Sequence, residues 1–187
     1  MSTLQTTTIT HASNSGTANL TLASDGGITF ASPPGLFTSY AIIADQKAAG
    51  NNGGTAFANA WTEVVLQTEI ADPDSIVTIA SDQFTLGAGN YLIKWKKSFF
   101  ASQRVVTRLY YVTNSAVKQY GMNTFGGNNS GATYTTFGIA RVTPTGSTAY
   151  KFEYYVDNQD GDGQGNDSPD DEGVNIYMLV EIYKEAS

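Results

Sequence analysis

The 187-residue chain contains no cysteine. That absence excludes disulfides, thiolate metal centres and cysteine nucleophiles, so stability must come from packing and association. There is a single histidine, His11, in a polar N-terminal stretch. One imidazole there leaves no material for a Ser-His-Asp relay or a histidine-rich metal centre, and catalysis is not expected. Basic residues are scarce too: 10 Lys and Arg stand against 17 Asp and Glu, a net charge of -7. A surplus of that sign repels phosphate backbones and anionic lipid heads, so neither nucleic acid nor membrane is an expected partner. No run approaches the length of a membrane span, and the first residues lack the basic and apolar segments of an export signal. No apolar stripe of helical period lasts three turns, so helix should be minor.

Aromatic and β-branched residues are plentiful, with 11 Tyr and 9 Phe among them, and that balance favours strands. Residues 1–35 read as a short N-terminal β arm: Leu4 to Ile9, Thr17 to Ala23 and Ile28 to Phe30 are extended runs with thin apolar faces. Such a hairpin is marginal alone and calls for other chains to lie against. Ser32-Pro33-Pro34-Gly35 then punctuates the chain before a main domain over 36–187. There, strand signals recur with turns between them: Tyr40 to Ala44, Trp61 to Ile70, Ile76 to Ile79, Gln83 to Leu86, Tyr91 to Phe100, Val105 to Thr113, Tyr134 to Val142, Ala149 to Val156 and Val174 to Tyr183. The expected fold is an all-β, antiparallel jelly-roll sandwich of about ten strands.

Two strands speak to assembly. In Val174 to Lys184 one face carries Val174, Ile176, Met178, Val180 and Ile182, the other Tyr177, Leu179 and Tyr183. Val105 to Val112 sets Leu109 and Tyr111 against Val106, Tyr110 and Val112. A lone sandwich covers one face of each sheet, so strands apolar on both sides imply an interface or covering loops. Tyr110, Val112, Tyr177, Leu179 and Tyr183 are the candidate interface residues.

The segment Phe84-Thr-Leu-Gly-Ala-Gly-Asn-Tyr91-Leu-Ile-Lys-Trp95 resembles the Phe strand, Gly turn and Gly-x-Tyr-x-aromatic strand of complement q-subunit and tumour necrosis factor-like heads. Tyr40-Ala-Ile-Ile-Ala-Asp-Gln-Lys, with Ile70-Ala-Asp-Pro-Asp-Ser-Ile, is similar to knob domains of fibre and decoration proteins of bacteriophages, notably those of cyanobacteria. The resemblance implies a ten-stranded jelly roll in a tight homotrimer on the virion surface, with the arm gripping another virion protein such as the major capsid protein. It implies no enzyme. A capsid decoration or cement protein, or a short capsid fibre, is the first expectation; a tail-fibre knob binding a host-surface glycan is the alternative. Family heads that are receptor ligands ride on collagen or coiled shafts, and neither Gly-X-Y nor heptad repeats occur here.

Seven acids fall between Asp157 and Glu172, and Asn158-Gln-Asp160-Gly-Asp162-Gly163 matches the opening of a calcium loop. Its twelfth position is Pro169 instead of a bidentate Glu. Calcium on Asn158, Asp160 and Asp162 is therefore weighed against a solvated loop, and no other cofactor is expected. Tyr120, Phe125, Asn128 and Tyr134, around Gly126-Gly127, combine ring faces and amides suited to a glycan. An ordinary glycine-rich connection is the plainer reading. Asp72-Pro73-Asp74-Ser75 reads as a turn capped by its own carboxylates.

Overall fold

The period-2 pattern of Tyr91-Leu-Ile-Lys-Trp-Lys-Lys-Ser-Phe-Phe100 sends Tyr91, Ile93, Trp95, Lys97 and Phe99 to one side, and all five are buried. That strand organises the molecule. The computed structural model describes residues 8–9, 20–22, 28–30, 36–126, 131–167 and 173–186. By its internal contacts the chain divides into two units, Met1–Thr38 and Ser39–Ser187. In the first, β1 (Thr8–Ile9), β2 (Leu20–Leu22) and β3 (Ile28–Phe30) form a three-stranded antiparallel sheet in that order.

The described strands of the rest fall into two sheets. One has the order β13-β9-β15-β4-β6, from β4 (Phe37–Ala48), β6 (Thr68–Ala71), β9 (Tyr91–Phe100), β13 (Thr133–Val142) and β15 (Val174–Glu185). The other runs β11-β10-β14-β8-β7, from β7 (Val77–Ala80), β8 (Gln83–Leu86), β10 (Arg104–Tyr111), β11 (Ala116–Tyr120) and β14 (Thr148–Val156). Two short strands complete it: β5 (Thr62–Glu63) on β14 and β12 (Thr124–Phe125) on β10. No described residue is helical. Two antiparallel sheets face to face, with non-sequential neighbours in each, make the expected jelly-roll sandwich.

Trp61 to Ile70, expected as one strand, is two. Glu63 pairs with Glu153 in the seven-stranded sheet, whereas Thr68 pairs with Ala44 in the five-stranded one. Between them Val64 and Leu66 turn fully inward, so the chain crosses the edge of the sandwich there. The turn at Asp72 is capped as expected, its two carboxylate oxygens accepting from the Ile76 and Val77 amides at 2.9 Å each.

Aromatic rings fill the space between the sheets. Phe84 stacks on Tyr150 and Phe152 at 5.6 Å, Trp95 meets Phe152 at 5.2 Å, and Phe99 meets Tyr154 edge-on at 5.6 Å. The Trp95 indole N–H donates to Thr107 Oγ1 at 2.8 Å, which removes the penalty of burying it. Trp95 lies flat over Gly138, its cross-strand partner, where any Cβ would meet the ring at 2.1 Å.

Candidate functional site

Two outward faces of the sandwich carry unusual surface. On the five-stranded sheet, Phe137 and Ile139 of β13 are 50% and 56% exposed. With Leu179 and Glu181 of β15 and Lys94 of β9 they line a shallow groove of about 320 Å³. Strand alternation forces this: the inward residues of β13 and β15, such as Ala140 and Val180, are core, and the outward Ile139 and Leu179 beside them are apolar as well. Tyr40 and Ile70 extend apolar exposure to the far strands of the same sheet. Tyr183 is half-buried; its hydroxyl donates to Glu181 at 2.8 Å and Lys94 lies 5.2 Å from its ring. That hydrogen bond and burial raise the Tyr183 hydroxyl above its ordinary value.

On the seven-stranded sheet the Arg108 guanidinium sits 3.8 Å from the Trp61 ring and pairs with Glu153 at 2.6 Å. Trp61 in turn contacts Tyr155 at 5.7 Å and Tyr120 at 5.9 Å. Tyr110 stands beside this cluster, with Arg108 and Lys151 each over its ring. Next to Tyr155 a second groove of about 270 Å³ is bounded by Phe125, Asn123 and the ion-paired Arg104 and Asp157.

The expected interface residues separate on this geometry. Leu179 and Tyr183 are on the five-stranded sheet, while Tyr110 is on the other sheet and half-buried Val112 follows it, its amide bonded to Ala149. Tyr177 is only 4% exposed, its hydroxyl donating to the Asn51 carbonyl at 2.7 Å, so it offers no area to a partner. The reason is a slip in β15: burial passes from Asn175 and Tyr177 to Met178, Val180 and Ile182. Val174 and Ile176, expected on the same face as Met178, Val180 and Ile182, are instead exposed while those three are buried.

The proposed glycan residues also divide. Phe125 is 66% exposed and Tyr120 is exposed, but Tyr134 lies in the core beneath Gly126, where a Cβ would collide with its ring. Asn128 lies outside the described residues. Trp61 and Tyr155 carry no motif that marks them in the sequence; the adjacent Tyr154-Tyr155 in one strand is the signal for Tyr155, since alternation must send one of the two outward.

Asn158, Asp160 and Asp162 hold the protein's own chain. The Asn158 amide donates to the Ala101 carbonyl at 3.2 Å, Asp160 accepts from the Asp162 amide at 2.9 Å, and Asp162 accepts from the Asn52 side chain. Among the described residues no group of three acidic or histidine side chains is placed to hold a metal. The segment is a strap: Gly163, Gln164 and Gly165 are buried, and backbone bonds tie it to Gly53, Gly54 and Phe100. Gly165 adopts a left-handed φ of 129° against the Tyr177 ring, a conformation and a clearance that glycine supplies.

Under the strap lie Lys97 and Asp45, both fully buried, with nitrogen and oxygen 3.7 Å apart. The ammonium donates to the Gln164 carbonyl at 3.0 Å. Burial drives the Lys97 ammonium down to about 8, against the pull of Asp45, and raises the Asp45 carboxyl despite Lys97.

No protein-family model and no curated protein matches the sequence. Solved structures do match in fold. Murine APRIL at pH 5.0 aligns with a TM-score of 0.52 and 9% identity, over 78% of this chain and 98% of that one. Eiger TNF from S. frugiperda aligns with a TM-score of 0.51 and 11% identity, over 80% and 94%. The globular domain of zebrafish complement 1qA gives 0.49 and 15%, over 78% and 96%. The sandwich is therefore similar in fold to the jelly rolls of murine APRIL and Eiger TNF. At these identities the likeness is one of fold.

Proposed function

We propose that three copies of this chain associate through the outer face of the five-stranded sheet into a non-enzymatic knob on the surface of a virus particle. There it decorates or cements the capsid, or forms a short capsid fibre, with the N-terminal arm gripping a virion protein such as the major capsid protein. The observation that carries the trimer is the groove between Phe137, Ile139 and Leu179. Apolar side chains exposed together on a sheet face are stabilised when a second chain covers them, by roughly 25 cal/mol per Å². A threefold uses two different patches per protomer, so Tyr110 and Val112 on the opposite sheet are compatible with the same ring. The virion placement is supported by the sequence resemblance of Tyr40 to Lys47 and Ile70 to Ile76 to phage knobs.

Two measurements test this reading. An electron-microscopy map of the particle should show threefold density of this size on its surface. A chain lacking residues 1–32 should fold and fail to attach to particles; attachment at full strength removes the arm from the account.

A second reading, a tail-fibre knob that binds host-surface glycan, is favoured by the exposed Phe125 and Tyr120 on the seven-stranded sheet.

A further inference from the structure

The groove beside Tyr155 is a built site. Its hydrophobic wall is the Phe125 ring, held out by the short pairing of β12 on β10, with Arg104 opposite Phe125 and Val105 opposite Thr124. The other wall, the Tyr155 ring, is fixed from behind by a relay of contacts. Glu153 holds Arg108, Arg108 lies on Trp61, and Trp61 packs against Tyr155. Side chains locked in this way give up little conformational freedom when a ligand arrives, which is what a preorganised site requires.

The polar groups set the chemistry of the ligand. Arg104 and Asp157 form an ion pair at the rim, so the groove presents donors and acceptors with no net charge. Asn123 adds an amide that both donates and accepts. A phosphate, sulfate or carboxylate ligand would meet Asp157 and the field of a chain of net charge -7. A neutral sugar fits instead: the apolar C–H face of a pyranose rests on an aromatic ring while its hydroxyls share hydrogen bonds with a carboxylate, a guanidinium and an amide. The volume, about 270 Å³, lies just under the usual range of ligand pockets and suits one ring of a glycan.

Resting on the glycan-binding reading, we infer that the groove between Phe125 and Tyr155 is a subsite for a single neutral hexose residue, with Arg104, Asp157 and Asn123 ordering its hydroxyls. Tyr155 and Phe125 stack on the sugar, and Trp61 packs behind Tyr155. Tyr120, across Trp61, extends the aromatic surface toward the neighbouring residue of a longer chain.

The test uses the full chain on an array of neutral and sialylated oligosaccharides. Saturation-transfer NMR with the methyl glycosides of glucose, galactose and mannose then follows. At least one neutral glycoside should bind, with saturation concentrated on its ring C–H protons. Phe125→Ala should weaken that binding by about tenfold at an unchanged melting temperature, and Phe125→Trp should preserve it. Asp157→Asn, with the rings in place, should also weaken it. Binding to neutral glycans that is indifferent to Phe125→Ala and Asp157→Asn would overturn the groove and leave the glycan reading standing. A preference for sialylated glycans would likewise overturn it. Silence across the whole array would remove both.

Discussion

Lys97 and Asp45 face one another at 3.7 Å with both side chains fully excluded from solvent, and neither Asp45 oxygen accepts a hydrogen bond among the described residues. The lysine occupies an inward position of β9, between Trp95 and Phe99, where alternation demands an apolar residue. It answers instead to the strap, donating to Gln164. Burying such a pair earns little stability by itself, but removing one partner strands the other.

Lys97→Met should therefore lower stability by about 3 kcal/mol, read as a shift in urea midpoint at constant slope. Adding Asp45→Leu should restore most of the loss, because the stranded acid leaves with the lysine. A double variant as unstable as the single one would show that the strap bond to Gln164, and not the pair, is what matters.

The same pair predicts a pH dependence. Folded Lys97 releases its proton near pH 8, while the unfolded chain keeps it up to the ordinary 10.5. Between these values the unfolded state binds more protons, so this group's contribution to stability rises with pH. Relative to Lys97→Met, the wild-type chain should gain on the order of 2 kcal/mol between pH 8 and pH 10. Parallel profiles would mean that Lys97 is not desolvated.

Gly138→Ala should cost about 1–3 kcal/mol, since its methyl must displace the Trp95 ring and the indole bond to Thr107. Near-ultraviolet circular dichroism should change with it. An unchanged melt would show that Trp95 has room to move.

Much of the sandwich was legible in the sequence because its central strands alternate cleanly. Tyr91 to Phe100 and Gln83 to Leu86 occur where the pattern places them. Strands β11 and β12 escaped because Ala116–Tyr120 and Thr124–Phe125 are short edge pieces whose side chains are mostly exposed, leaving no period to read. Lys97 was invisible for the opposite reason: a lysine reads as surface, and only the strap makes it core. Candidate surfaces were legible in part. Leu179 and Phe125 are placed outward by their strands. Tyr177 and Tyr134 look alike in sequence but are covered from outside their own strands, Tyr177 by Asn51 and Gly165 and Tyr134 by Gly126 across a loop. The strand's own alternation carries no trace of such cover.

Leu179→Asp would place a carboxylate in the groove beside Glu181 on every copy. It should convert the assembly to monomer or aggregate in size-exclusion chromatography, while Lys118→Asp, at an exposed site on edge strand β11, should leave it intact. An undisturbed assembly would move the interface elsewhere.

The most direct measurement is the mass of the purified chain in solution by light scattering at micromolar concentration. Three associated chains give a single species of about 60 kDa, three times the 19.9 kDa of one chain. A monodisperse species of one chain mass, with Phe137, Ile139 and Leu179 open to solvent, would contradict it.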